Sequence, residues 1–330
     1  MTDSAPVSQP LVNLLVGIDV AKEKLDLARS DSSKAVVFDN QPAGIGRIVE
    51  LMRSIKPTLI VVEATGGLER PLIAALLDAH QPVALVNPGR VRHLAIALGI
   101  LAKTDKVDAG VLVEFARHAQ PRLAQKLSQN QIELDALVTC RKQLCDLRTA
   151  QFNQRDTTSS KAALKSINAV IKTLEKQIQS LDEQIKKLIE SDDDMNSIDK
   201  LLRSAPGVGP VLSSTLLSGM IELGALGRRQ ISALAGVAPY NHDSGRHAGK
   251  RSIYGGRADI RAVLYMATVA ATVHNPIIKN FYQRLLAKGK LKMVALVASM
   301  RKLISMLNAM LREEITWEQL NVVKNLTQTA

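Results

Sequence analysis

Two short apolar runs, Leu14–Ile18 and Leu59–Val62, each end in a carboxylate, Asp19 and Glu63. Runs of this length, bounded by polar residues, read as central buried strands. An acid at the end of such a strand is costly to bury unless it is paired or bound to a cation. The chain around these runs must therefore build a layered core and give both acids a partner.

The neighbouring segments supply the layers. Leu14–Val20, Leu25–Ser30 and Ala35–Asp39 are short β-branched or alternating runs separated by polar turns, and they read as an antiparallel meander. A helix is expected from about residue 43 to 54, then a strand Leu59–Glu63, a helix near residues 69–79, a strand Val83–Val86 and further helix. Three antiparallel strands followed by alternating helices and strands is the order of an RNase H-like α/β domain. It is expected over residues 13–125, behind a polar, disordered leader of residues 1–12.

A second segment, residues 126–200, is helical. Ile167, Ile171, Leu174, Ile178, Leu181, Ile185 and Leu188 recur in alternating four- and three-residue steps, which is a heptad seam. The polar stretch Asp156–Ser160 separates this helix from an earlier one carrying Leu137, Leu144 and Leu147. The expectation is an antiparallel helical hairpin or coiled coil, self-packed or paired with another subunit. The acidic run Asp192–Asp194 reads as a helix end or cap. A third segment, residues 201–330, reads as a compact helical domain with a glycine-rich middle.

Charge is distributed unevenly over these segments. The chain carries a net +12 at pH 7, and its last part, Leu201–Ala330, holds 17 Lys and Arg against 6 Asp and Glu. A polyanionic partner fits a basic domain better than a solubility role does. Cys140 and Cys145 are too few and wrongly spaced for a disulfide framework or a zinc site. No run looks long and apolar enough for a membrane span, and the polar start has no signal-peptide core. The expected setting is the bacterial cytoplasm, at the nucleoid.

Four acids are candidates for chemistry. Asp105 and Asp108 lie three apart at the start of a helix, so both face one side, and Thr104 would cap it. With Asp19 and Glu63 they could converge on Mg²⁺ or Mn²⁺, since hard oxygen ligands favour these ions. Such a site polarises a phosphodiester. The alternative for Asp105 and Asp108 is simple complementation of a helix dipole. In the basic segment, Pro206-Gly207-Val208-Gly209-Pro210 resembles a helix-hairpin-helix turn, with Gly207 and Gly209 letting backbone N–H groups approach a phosphate; a plain interhelical turn is the other reading. Further on, Ser244 sits among Arg246, Lys250 and Arg251, with His242 and His247 as the nearby bases. Cations there would hold an oxyanion beside a serine hydroxyl, although a loop serine needs no such role. Arg257 and Arg261 continue the patch as backbone-contacting cations.

Taken in order, seven fragments resemble the IS110 insertion-sequence transposases and the related Piv/MooV-type DNA invertases. They are Gly17-Ile18-Asp19-Val20-Ala21-Lys22, Glu63-Ala64-Thr65-Gly66, Val86-Asn87-Pro88, Lys103-Thr104-Asp105-Lys106-Val107-Asp108-Ala109, Pro206-Gly207-Val208-Gly209, Gly236-Val237-Ala238-Pro239 and Asp243-Ser244-Gly245. The resemblance implies a RuvC-like domain whose tetrad is Asp19, Glu63, Asp105 and Asp108. It implies that Ser244 is the nucleophile of a C-terminal transposase domain, and it places Lys103 among the residues that meet nucleic acid. It also implies donor and target double-stranded DNA as substrates, a noncoding bridge RNA as guide, and a homo-oligomer in which acids and serine come from different subunits. One departure is Tyr254, where many relatives carry lysine before Gly255-Gly256.

Two other functions compete. A metal-dependent hydrolytic nuclease of the Holliday-junction resolvase type would need the four acids but not Ser244. A non-catalytic nucleic-acid scaffold would use only the basic segment and leaves the placement of four acids unexplained.

Overall fold

A computed structural model describes residues 13–101, 105–241, 243, 249 and 251–320, with the side chains of Asp105 and Lys106 outside the description. The expected leader falls outside it, as does Thr104. The chain forms two compact units, residues 1–127 and 128–330.

The first unit runs β1 (Leu15–Val20), β2 (Lys24–Arg29), β3 (Ser32–Asp39), α1 (Pro42–Ile55), β4 (Leu59–Glu63), α2 (Arg70–Asp78), β5 (Val83–Val86), α3 (Pro88–Ala97) and α4 (Asp105–Ala119). Its sheet has the order β3-β2-β1-β4-β5. β1 is antiparallel to β2 and parallel to β4, and β4 is parallel to β5. This is the RNase H-like arrangement, with the two apolar runs as adjacent central strands.

Strand alternation sorts the sheet residues onto two faces. Val16, Ile18, Val20, Ile60 and Val62 face one core with Ile48 and Met52 of α1 and Leu72 and Leu76 of α2. Leu15, Val61 and Val86 face the other, with Val111, Leu112 and Phe115 of α4. Between Leu15 and Asp19 on that second face stands Gly17. A Cβ at Gly17 would lie 2.7 Å from Leu112 Cβ and 2.9 Å from Val113 N, and would strike Ala109 O. Only a bare backbone lets α4 lie this close across β1.

In the second unit, α5 (Gln129–Thr157) and α6 (Lys161–Ser191) pack along each other. They run antiparallel, as the hydrogen bond Asn130 Nδ2 to Asp192 and the ion pair Arg141–Asp182 require. Ile167, Ile171, Ile178, Ile185 and Ile189 are buried along α6. Leu147 is 54% exposed on α5 and so lies outside the contact within this chain. Asp192 is the N-cap of α7 (Asp193–Arg203), accepting from Met195 N at 3.0 Å. That helix runs through residues 200 and 201, so the change in charge falls inside an element rather than between two.

The rest of the unit is α8 (Pro210–Gly219), α9 (Arg228–Leu234), β6 (Pro239–Tyr240), β7 (Ser252–Ile253), α10 (Ala258–His274), α11 (Pro276–Ala287) and α12 (Lys292–Glu313). α12 is 22 residues long and, against the sequence expectation, apolar enough to cross a membrane by length and composition. Here Met300, Leu303, Ile304, Leu307 and Met310 bury it in the core of the unit. Buried Asn308 fixes α12 to the loop before α9, accepting from Gly224 N and donating to Leu226 O, both at 2.9 Å.

Gly17 and Gly46 test the close approach. Gly17→Ala should destabilise the protein by about 2–3 kcal/mol, because the helix must move off the strand. A Cβ at Gly46 of α1 would meet nothing within 4 Å, so Gly46→Ala should stabilise by about 0.5–1 kcal/mol. Urea unfolding of both variants is the measurement. Equal effects would mean that α4 does not depend on Gly17.

Candidate functional site

The parallel register pairs Gly17 with Val61 and Ile18 with Val62. One step further along, Asp19 comes beside Glu63. Partners in a parallel pair share a face, and that face is the one α4 covers. Strands in a sheet lie about 4.8 Å apart, so the two acids are near neighbours by construction. Both are partly exposed. Asp108 is on α4, next to Ala109, whose carbonyl oxygen abuts Gly17. The contact that needs a glycine therefore holds against β1 the helix that carries Asp108. Asp105 opens the same helix, its side chain outside the described residues. Among the described residues, no three acids, histidines or cysteines are grouped closely enough to hold a metal ion.

A further acid belongs to this neighbourhood and was missed in the sequence. Asp26 of β2 is the antiparallel cross-strand partner of Asp19. It is 2% exposed, and Lys24 Nζ lies 3.2 Å from its carboxylate. The signal was available in Lys24-Leu25-Asp26-Leu27-Ala28, where strict alternation puts Asp26 opposite the leucines. Those leucines belong to the other core.

Glu69 organises the loop after β4. Its carboxylate accepts from Thr65 Oγ1 at 2.7 Å, Gly67 N at 2.9 Å and Thr65 N at 3.1 Å. The loop turns through Gly66 and Gly67, both at positive φ. Burial pushes the Glu69 carboxyl up; the Thr65 hydroxyl and the backbone donors outweigh this, and its pKa lies below the ordinary value. Asn40 joins this loop to the end of β1, donating to Ala21 O at 2.8 Å and to Leu68 O at 3.5 Å. After β5, Asn87 caps α3 by accepting from Gly89 N at 2.9 Å, with Pro88 at the first helical position. The fragments Glu63-Ala64-Thr65-Gly66 and Val86-Asn87-Pro88 are thus strand ends followed by the turn chemistry that fixes them.

In the second unit, β6 and β7 pair Pro239 with Ile253 and Tyr240 with Ser252, and so close the base of a loop. The turn at Gly236 (φ 68°) packs on the turn at Gly256 (φ 71°); a Cβ on Gly256 would strike the Gly236 backbone and lie 2.7 Å from Ala233 O. Asp243 accepts from Gly249 N at 3.0 Å across the loop. Ser244, Arg246 and Lys250 of this loop, and both candidate bases His242 and His247, lie outside the described residues, as does Lys103 of the first unit.

The other expected nucleic-acid contacts divide. Arg251 is exposed beside β7. Arg257 is engaged within the fold, donating to both Glu222 carboxylate oxygens at 2.7 Å and to Gly219 O at 2.8 Å. Arg261 donates to Gly255 O at 2.7 Å. Arg261 thus braces the Gly255-Gly256 turn and Arg257 ties the start of α10 to Glu222 and the end of α8, so both cations have partners within the fold. Gly207 lies at positive φ (95°). A Cβ there would meet Ala271 of α10 at 2.7 Å, so this glycine serves helix packing. Gly209, with nothing within 4 Å of a Cβ, faces open space at the start of α8.

The amino-acid sequence matches two family models. One, described as "Transposase" and built on the DEDD domain of IS110 elements, covers residues 16–169. The other, "Transposase IS116/IS110/IS902 family", covers residues 199–283. The chain belongs to the IS110 transposase family. Two "Pilin gene-inverting" proteins are similar to this IS110 transposase along nearly their whole length. The one from Moraxella bovis is 28% identical and the one from Moraxella lacunata 29%, each over 90% of this chain and 95% of the relative. Among solved structures, T. thermophilus RuvC in complex with a Holliday junction substrate aligns with 34% of this chain and 99% of its own, at 15% identity and a TM-score of 0.25.

The Glu69 loop carries a pH signature in this transposase. A carboxyl whose folded pKa is depressed contributes stability above its unfolded value, and loses it as pH falls through the folded value. Glu69→Ala should cost about 2–3 kcal/mol at pH 7, because three donors lose their acceptor. The gap to wild type should narrow below the ordinary value of 4.5. Glu69→Gln, which cannot ionise, should lie nearer to wild type at low pH than at neutral pH. Denaturant titrations at pH 7 and pH 3.5 decide; a gap independent of pH would remove the carboxylate from this role.

Proposed function

We propose that the chain cleaves and rejoins DNA with Ser244 as nucleophile and with Asp19, Glu63, Asp105 and Asp108 as ligands for Mg²⁺ or Mn²⁺. The observation that carries this reading is the register of β1 and β4. It sets Asp19 beside Glu63 on the face that α4 crosses, and so gathers hard oxygen donors on one side of a rigid sheet. Membership of a transposase family supports the DNA substrate, and the pilin gene-inverting relatives are described as acting by inversion. When bound, the ion would polarise the scissile phosphodiester.

The residues of the chain do the rest. Ser244 Oγ attacks the phosphorus and loses its proton to a base, with His242 and His247 the candidates in its loop. An Oγ–P bond forms, the bond from phosphorus to the leaving sugar oxygen breaks, and that oxygen takes a proton. Arg246, Lys250 and Arg251 would balance charge on the phosphate oxygens. Rejoining runs the same exchange in reverse with another strand's hydroxyl, so no external energy source is needed. In this reading a noncoding RNA guides the choice of DNA and the protein works as a homo-oligomer. The exposed Leu147 and Val170 on α5 and α6 offer apolar contacts for a second copy. Residues 13–125 then form the metal-binding domain, 126–200 the helical spacer and 201–330 the transposase domain.

Ser244→Ala should remove a covalent protein–DNA adduct and recombination while leaving DNA binding within about twofold of wild type. Asp19→Asn should abolish cleavage in Mg²⁺ without loss of folding. Reactions stopped with denaturant and digested with nuclease can be searched by mass spectrometry for a nucleotide on the Ser244 peptide. Recombination by Ser244→Ala, or free ends with no adduct from wild type, would replace this mechanism with a water-using nuclease.

A further inference from the structure

The second unit contains a groove of about 950 Å³ between α12, α11 and the β6–β7 strands. Its lining divides by chemistry. Ile253, Phe281, Met293, Val294, Val297 and Met306 form an apolar floor, and Arg228, Arg251, Arg301, Lys302 and Arg312 stand around it. No acid lines the groove among the described residues. Lys302 Nζ sits 4.7 Å from the centre of the Phe281 ring. Arg312 pairs with Glu313 at 2.9 Å, whereas Arg228, Arg251 and Arg301 take part in no ion pair among the described residues.

Such a lining selects among polyanions. A duplex keeps its bases stacked inward and presents phosphates on a broad convex surface, so it gains nothing from an apolar trough. An unpaired strand presents anionic phosphates and apolar base faces together. Met293 and Val294 are 57% and 53% exposed, costly for a floor that nothing covers. Arg301 and Arg312 on α12 are eleven residues apart, about 16 Å along the helix, so the cations extend over more than one nucleotide. The strands that bound the groove, through Pro239, Ser252 and Ile253, are also those that close the base of the Ser244 loop.

We infer that this groove holds a short unpaired stretch of nucleic acid, with bases against the apolar floor and phosphates on Arg228, Arg251 and Arg301. The inference rests on the proposed function for its site of action, since it places unpaired nucleotides beside the loop that carries the nucleophile. A strand opened for exchange would be held there while its phosphate is attacked.

The test uses the full-length protein without added metal, so that no cleavage occurs, and fluorescence anisotropy with two probes: a labelled twelve-nucleotide oligothymidine and a twelve-base-pair duplex. Met293→Ser/Val294→Ser changes only exposed side chains of the floor. It should weaken oligothymidine binding about tenfold with an unchanged salt slope, and leave duplex binding within twofold. Arg228→Gln/Arg301→Gln should lower the salt slope for oligothymidine by about 1.4, from a contribution of about 0.7 per phosphate lost. Thermal melts check folding, and Val297→Ser gives a second floor variant if the double one unfolds. Equal losses for both probes, or no loss for either, would overturn the inference. So would displacement of an acidic amphipathic peptide, rather than oligothymidine, as the only effect of the floor variants. The Ser244 adduct is scored separately. Unaltered binding by the groove variants, with a normal adduct from wild type in Mg²⁺, removes the groove alone, while altered binding by the variants with no adduct from wild type removes the nucleophile alone.

Discussion

The absence of a side chain at Gly17 is the constraint on which the first unit turns. Helix and strand meet there backbone to backbone, with Ala109, Leu112 and Val113 against the strand. A larger residue would keep β1, β4 and the sheet order intact but lift α4 away. The acids on the strands would then keep their positions while the helix that carries Asp108 moves away. One methyl group of space thus separates a sheet with α4 packed on it from a sheet with that helix displaced. The rest of the neighbourhood is held by turn chemistry just beyond the strand ends, where Glu69, Asn40 and Asn87 satisfy loop donors that would otherwise be free to move.

The second unit applies the same economy of side chains to a loop. Gly236 and Gly256 pack their backbones together, and Arg257 and Arg261 tie the adjoining segments through Glu222, Gly219 and Gly255. The cations of this unit consequently fall into two groups. Some are spent on the scaffold that presents the loop. Others, such as Arg251 and Arg301, line the groove and take part in no ion pair among the described residues. Net charge alone does not separate them; hydrogen-bond partners do.

Much of the first unit was legible in the sequence because each strand is a dense apolar run with its own turn signals. Leu59–Glu63 and Val83–Val86 have the bounds expected of them, and the other strands shift by one to three residues. β6 and β7 were not legible: two residues each give no periodicity, and their pairing depends on glycine turns far apart in the chain. The fates of Arg257 and Arg261 were hidden for a related reason, since Glu222 lies 35 residues from its partner. Asp26 was readable in principle. It was passed over because a charged residue in an alternating strand usually faces water, and here α4 covers that face. Leu147 on α5 is exposed, whereas the isoleucines of the α6 seam are buried.

The α5–α6 pair has a consequence for how such chains diverge. Two antiparallel helices joined by three residues keep their ends together whatever their length, provided the isoleucines of α6 stay on one face. An insertion of one or two residues in either helix would rotate that face by about 100–200° and expose it. Matched insertions of seven in both would extend the pair by about 10.5 Å with the face preserved. Length in this part of the molecule is therefore quantised: homologous chains can differ in reach by whole heptads, with no correlated change in the acid-bearing sheet.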